Sequence, residues 1–69
     1  MRIWLAEIRE KTGLSQYAVA KLAGMSQSYY AGIEGGVRGN KLPVKTAKRI
    51  AAVLGFPWQK FYDEDSKAS

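Results

Sequence analysis

The chain has 69 residues, enough for one small domain, and it contains neither cysteine nor histidine. Without them it has no disulfide framework and lacks the most common general base and zinc ligand, so we expect no enzyme and no cofactor. The net charge of +5 becomes +7 over residues 1–62, where ten Lys or Arg face three acids. This excess favours a partner rich in phosphate groups, with a merely soluble basic surface as the alternative.

Residues 2–12 predict the first helix. Leu5 and Ile8 lie three residues apart, and Trp4 lies four residues before Ile8, so the three share one face. The charged residues of the segment fall elsewhere on the helix. Gly13 then stops it.

The centre of the chain predicts two short helices joined by a tight turn. Ser15 can cap Gln16–Ala23 by accepting a backbone hydrogen bond. Ser26 can cap Gln27–Glu34 in the same way, and Gly24 between the helices can adopt the positive φ that ends a helix at little cost. Two helices, a short turn with glycine and a second serine cap are the signature of a helix-turn-helix, a DNA-binding motif.

The C-terminal half predicts a basic loop and two further helices. Residues 35–42 contain three glycines, which preclude a stable helix. Pro43 restarts helical order, and Val44–Leu54 has apolar residues at helical spacing with basic residues on the other side. Residues 58–62 predict a last short helix, and the polar residues 63–69 predict a disordered tail. The sequence therefore predicts an all-α bundle of five helices.

Motifs spread along the chain resemble one known family. The chain is similar to the Cro/C1-type (XRE-like) helix-turn-helix domain of phage repressors in LSQYAVAKLAGMSQSYYAGIEGG, the basic loop, IAAVLGF and WQKFY. The resemblance covers roughly residues 3–62 and implies a compact bundle of lambda-repressor-like type, in one DNA-binding domain over residues 1–62. It also implies a repressor-like regulator of transcription that binds double-stranded operator DNA, usually as a homodimer.

Gln27, Ser28 and Gly32 are the predicted contacts to DNA bases. The resemblance assigns Gln27, because family members with Gln at the start of the recognition helix, about residues 27–34, contact an adenine edge. A helical wheel places Ser28 and Gly32 farthest from the apolar residues of this helix. Ala31 and Gly32 cannot hydrogen-bond through side chains, so the helix either sits deep in the groove or reads DNA less through side chains. A solvated surface is the alternative for Gln27 and Ser28.

Six further residues are predicted to contact phosphates: Gln16, Tyr29, Arg38, Asn40, Lys41 and Lys45. The resemblance implies these contacts at the start of the second helix and in the loop after the recognition helix, and Lys45 adds a positive charge at the start of the fourth helix. Tyr29 lies at the edge of the apolar face, so its hydroxyl either meets the DNA backbone or stays in water above a partly buried ring. A solvated surface is the alternative for the others.

Two further sets of residues receive structural roles. The resemblance implies that Arg9 and Glu34 form a largely buried ion pair, with exposure of both as the alternative. Trp58, Phe61 and Tyr62 are expected to close the core, to contribute to a dimer interface, or to do both.

Other functions are less favoured by the sequence. The same fold serves as a protein-interaction module in antitoxins, antirepressors and transcription coactivators, but the basic charge, Gln16 and Gln27 favour DNA. No apolar run approaches the roughly 18–20 residues of a membrane span, and no signal peptide or lipidation motif is present. We therefore expect a cytoplasmic chain without a membrane partner, and no small-molecule site is evident.

Overall fold

The structure, a computed structural model, describes residues 2–36 and 42–63 of the chain. Its four α-helices are α1 (Ile3–Thr12), α2 (Gln16–Ala23), α3 (Gln27–Glu34) and α4 (Val44–Leu54). A single helical turn, α5, follows at residues 60–63. The described residues contain no strand, and the predicted all-α fold of five helices is confirmed.

Local side-chain caps and one glycine define the two central helices. The Ser15 Oγ accepts a hydrogen bond from the Ala18 N–H at 3.0 Å, and the Ser26 Oγ accepts one from the Tyr29 N–H at 3.1 Å. Each bond satisfies an amide of a first helical turn that has no partner within the helix. Gly24 ends α2 with a φ of 75°, a conformation that a side chain would disfavour. The caps and the turn lie where the sequence predicts them.

The bounds of α2, α3 and α4 are those predicted, and the differences lie at the chain ends. The first helix begins at Ile3, one residue later than predicted. The last helix begins at residue 60, two residues later than predicted, and residues 58–59 before it form a turn that the Lys60 N–H closes on the Pro57 carbonyl at 3.0 Å. Asp63, predicted to begin the tail, ends α5 and donates its N–H to the Gln59 carbonyl at 3.1 Å. Residues 64–69 of that predicted tail lie outside the described residues.

One apolar cluster, to which all the helices contribute, forms the core. Its fully buried members include Leu5, Val19, Tyr30, Ile33, Ala47 and Ile50. Trp4, Phe56 and Phe61 add an aromatic group at one end, with ring centroids 5.2–5.5 Å apart. Such tilted aromatic contacts contribute beyond the area that they bury. The α5 turn therefore closes the core against α1 through Phe61, which is 2% exposed.

The amphipathic pattern of α4 determines which of its sides faces the core. Ala47, Ile50, Ala51 and Leu54 are buried, as the helical spacing predicts. Lys45, Lys48 and Arg49 are exposed on its other side. The helix therefore adds a basic surface to the same body that holds α2 and α3.

We expect the substitution Gly24→Ala to lower the free energy of unfolding by about 1–2 kcal/mol, the cost of a left-handed conformation for a residue with a side chain. An added Cβ would meet only the Arg49 Nη1, at 3.8 Å, so backbone strain dominates the effect. Gly35 provides the control, because its φ is −72° and its added Cβ would lie 3.4 Å from the nearest atom, the Ala31 carbonyl oxygen. Urea denaturation of both variants measures the difference, and equal losses would contradict the explanation.

Candidate nucleic-acid interface

α2 and α3 form a helix pair with a buried side and an exposed side. Tyr30 and Ile33 of α3 are completely buried, together with Val19 of α2. Gln27 and Ser28 are exposed at the start of α3. The third predicted base contact, Gly32, is half-buried, and so is Tyr29, whose ring packs against the core. The structure thus leaves the first two residues of α3 accessible.

A carboxylate at the end of α3 joins three helices. The Glu34 Oε2 accepts a hydrogen bond from the Arg9 Nε at 2.6 Å, and its Oε1 accepts one from the Gln16 Nε2 at 3.0 Å. The Arg9 Nη1 also donates to the Leu14 carbonyl at 2.9 Å. The side chains of Arg9 and Glu34 are 14% and 4% exposed. The ion pair that the resemblance implied is therefore present and largely buried.

The surroundings of Glu34 keep its carboxylate charged. Burial by itself raises the pKa of Glu34, but the hydrogen bonds from Arg9 and Gln16 and the charge of Arg9 outweigh it, so the pKa lies below its ordinary value. The hydrogen bond to Glu34 raises the pKa of Arg9. Burial, and then the neighbouring Glu34, raise the pKa of Tyr30, whose hydroxyl lies outside hydrogen-bond geometry with any described group. At neutral pH the pair is ionised and Tyr30 is neutral.

Three of the predicted phosphate contacts lie within the described residues: Gln16, Tyr29 and Lys45. The bond from Gln16 to Glu34 uses one of the two N–H groups of the Gln16 amide. Lys45 is exposed in the first turn of α4. Three other predicted contacts, Arg38, Asn40 and Lys41, lie outside the described residues. The roles of all these residues toward DNA stay predictions.

The aromatic residues near the C-terminus divide into core and surface. Phe61 is buried, so it closes the core and offers no surface to a second copy. Trp58 and Tyr62 are half-buried and contact each other edge to face, with ring centroids 5.9 Å apart. The Tyr62 hydroxyl donates to the Leu42 carbonyl at 2.6 Å, which fixes α5 against the segment that precedes α4. Trp58 and Tyr62 remain the candidates for a dimer interface.

A family model described as helix-turn-helix matches residues 5–61. The chain belongs to this family. The uncharacterized HTH-type transcriptional regulator YqaF of Bacillus subtilis (strain 168) is 41% identical to it over 64 residues, which are 93% of this chain and 82% of the relative. No solved structure is significantly similar to it. The Cro/C1-type resemblance is thereby confirmed at the level of the family.

Two residues of this helix-turn-helix chain have positions that the sequence did not reveal. Arg2 is 4% exposed, although an arginine that precedes a helix is expected at the surface. Tyr17 is 58% exposed beside Gln16 in the first turn of α2, with the Lys21 Nζ 5.9 Å from its ring centroid. A helical wheel of α2 would have identified Tyr17, because it points away from the apolar side that includes Val19. No sequence pattern signals the burial of Arg2.

No group of three or more His, Cys, Asp or Glu that could hold a metal ion occurs in residues 2–36 and 42–63. In the same ranges, no helix has the length and apolar character needed to cross a membrane.

We expect the substitution Glu34→Gln to lower the free energy of unfolding by about 3 kcal/mol near pH 7, since breaking a buried pair costs on the order of 3–5 kcal/mol. Because the pKa of folded Glu34 lies below 4.5, its stabilisation is complete above about pH 5 and is lost as the pH falls through the folded pKa. The stability difference between wild type and variant should therefore shrink on acidification. Urea denaturation at about pH 7, 5 and 3 measures it.

Glu7, an exposed acid of α1, provides the control for this substitution. Glu7→Gln should change stability by less than about 0.5 kcal/mol at each pH, as surface substitutions usually do. A difference between Glu34→Gln and wild type that stays constant from neutral to acidic pH would contradict the role assigned to the ionised pair.

Proposed function

We propose that this chain regulates transcription by binding double-stranded DNA in a sequence-specific manner, with α3 as the recognition helix in the major groove. The observation that carries the proposal is the two-sided character of α3, which buries Tyr30 and Ile33 against the core and exposes Gln27 and Ser28 at its first turn. The major groove of B-DNA admits an α-helix, and recognition helices contact base edges with their N-terminal residues. The name of YqaF as a transcriptional regulator supports the same function.

The proposed mechanism separates reading from positioning. The Gln27 amide can form two hydrogen bonds with one adenine at the same time: its N–H donates to N7, and its oxygen accepts from the N6 amino group. A well-placed pair of this kind discriminates against other bases by about 1–3 kcal/mol. Gln16, Tyr29, Lys45 and the basic loop residues contact phosphates, which fixes the register of α3 without reading the sequence. The positive charge of the chain supplies a salt-dependent attraction to any DNA.

The protein acts as a homodimer on DNA. Two copies bind a two-fold symmetric operator with half-sites about one helical turn apart, as dimeric helix-turn-helix proteins do. Trp58 and Tyr62 contribute to the surface between the copies, because aromatic residues are enriched at such surfaces. We propose a repressor-like, cytoplasmic regulator without catalytic activity.

The charge of α3 favours DNA over a protein partner. Glu34 is the one acid in the sequence of this helix, and its carboxylate is buried in the pair with Arg9. The exposed side of α3 therefore offers no carboxylate that would repel phosphate groups. A protein-interaction module with the same fold is not favoured.

Selection from a randomised duplex library at about 150 mM salt, a physiological ionic strength, tests the proposed function. We expect an enriched consensus with two-fold symmetry, because each copy would read one half-site. Binding that depends on salt but enriches no sequence would overturn sequence-specific regulation and leave a basic domain. Absence of binding would overturn DNA binding itself.

We expect the substitution Gln27→Ala to reduce discrimination at one base pair of each half-site by about 1–3 kcal/mol, because the amide no longer reads an adenine edge. Affinities for the selected site and for all its single-base variants measure the loss. Gln59→Ala, which removes the same amide from an exposed position of the C-terminal segment, is the matched control and should leave discrimination unchanged. An unaltered preference in Gln27→Ala would show that Gln27 does not read the sequence.

A further inference from the structure

Arg2 attaches the segment before α1 to the end of the recognition helix. Its backbone N–H donates to the Glu34 carbonyl at 2.7 Å, and its Nη1 donates to the Ile33 carbonyl at 2.6 Å. On its other side the guanidinium lies 5.6 Å from the centroid of the Phe61 ring. Arg2 is therefore held between the last turn of α3 and the aromatic group that closes the core.

The end of α3 needs such a partner for electrostatic reasons. The last carbonyls of an α-helix have no amide partner within the helix, and they form the negative end of its dipole. α3 has no basic residue in its own last turn, and its last residue, Glu34, adds a negative charge there. Arg2 brings two donors and a positive charge to this end from another part of the chain. The Ile33 carbonyl also accepts the Gly36 N–H at 3.2 Å, so Arg2 adds a shorter bond from a charged donor to a turn that already closes there. The position of α3 therefore depends in part on Arg2.

The helix is short enough for its ends to determine its orientation. α3 has eight residues, and the glycine at position 32 lowers its helix propensity by about 1 kcal/mol relative to alanine. The Ser26 cap holds the N-terminal end. Arg2 holds the C-terminal end, together with the bonds that Arg9 and Gln16 donate to the Glu34 carboxylate. With only 4% of its surface exposed, Arg2 is not placed to contact DNA itself.

We propose that Arg2 is a positioning residue for DNA recognition, which fixes the angle at which α3 presents Gln27 and Ser28 to the major groove. This inference rests on the proposed function and deepens it. The anchor of α3 is the hydrogen bond from the Arg2 Nη1 to the Ile33 carbonyl. Its loss displaces the side chains that contact bases, while the phosphate contacts and the overall charge attraction largely persist. The quantity that reports the role is therefore the ratio of affinities for the selected site and for an unrelated duplex.

The substitution Arg2→Met in the full chain tests the proposal, because it keeps an apolar stem against Phe61 and removes the side-chain donor to Ile33. We expect the affinity ratio to fall about tenfold, the scale of one lost base contact. The change of charge weakens binding to both duplexes alike and cancels in the ratio. The measurement is made at a temperature where thermal unfolding shows that every variant is folded.

Two control variants separate positioning from stability. Arg2→Lys keeps a cation and a donor and should recover part of the ratio. Ile50→Val removes one methylene from the buried side of α4 and no hydrogen bond at α3, so it should lower stability and leave the ratio unchanged.

Amide hydrogen exchange reports the anchor without DNA. The Gly35 N–H donates to the Ala31 carbonyl at 2.9 Å at the end of α3, and the Gly55 N–H donates to the Ala51 carbonyl at 2.7 Å at the end of α4. In Arg2→Met, exchange at Gly35 should accelerate about tenfold more than exchange at Gly55, the equivalent of about 1.4 kcal/mol of local stability. In Ile50→Val the two amides should accelerate alike.

The possible outcomes distinguish this inference from the proposed function. If the wild-type chain selects no sequence, the proposed function is overturned and the positioning role falls with it. If the wild-type chain selects a consensus and Arg2→Met retains the full affinity ratio, the positioning role alone is overturned. A fall in the ratio of the same size in Ile50→Val would reduce Arg2 to a stabilising residue and overturn the inference too.

Discussion

Glu34 places a negative charge at the negative end of the α3 dipole, and only 4% of its side chain is exposed. Burial and the dipole both oppose an ionised carboxylate there, so the charge exists only because other elements compensate it. Arg9 from α1 and Gln16 from α2 bind the carboxylate, and Arg2 binds the carbonyls beside it. The relative positions of α1, α2 and α3 are therefore coupled at one point.

Two ionisable groups of α3 have pKa values shifted in opposite directions. Glu34 is kept charged, because the Arg9 guanidinium and the Gln16 amide donate hydrogen bonds to its carboxylate. Tyr30, one turn earlier, is kept neutral, because its hydroxyl is buried and lies beside the carboxylate. Its ring anchors the middle of α3 in the core, whereas the polar contacts of Glu34 fix the end. Apolar packing and hydrogen bonding thus act at different points along the same short helix.

Much of the fold could be predicted because its signals are local. Serine caps, glycine stops and a proline define α2, α3 and α4 within a few residues of sequence, and the structure places their bounds where those signals predict. The contacts that were missed join distant residues: Arg2 and Ile33 are 31 positions apart, and Gln16 and Glu34 are 18 apart. Composition and periodicity carry no information about such pairs. Of the candidate site, the residue pattern therefore predicted the exposed surface of α3, and the family resemblance predicted the Arg9–Glu34 pair at its end, but neither predicted the bonds from Arg2 and Gln16.

The sequence left two explanations open for the small residues of α3. They either allow the helix to lie deep in the major groove or mean that side chains contribute less to the recognition of bases. The exposed polar side chains of α3 that could contact bases, Gln27 and Ser28, lie at its start. Ala31 and Gly32, further along the helix, have no polar side chain. If α3 enters the groove as proposed, few side-chain atoms can discriminate among bases. Small errors in their position then matter more than they would for a helix with many contacts. On this argument, selectivity depends on how firmly the buried residues hold the helix, and the anchor at its C-terminal end belongs to recognition as much as the side chains at its start.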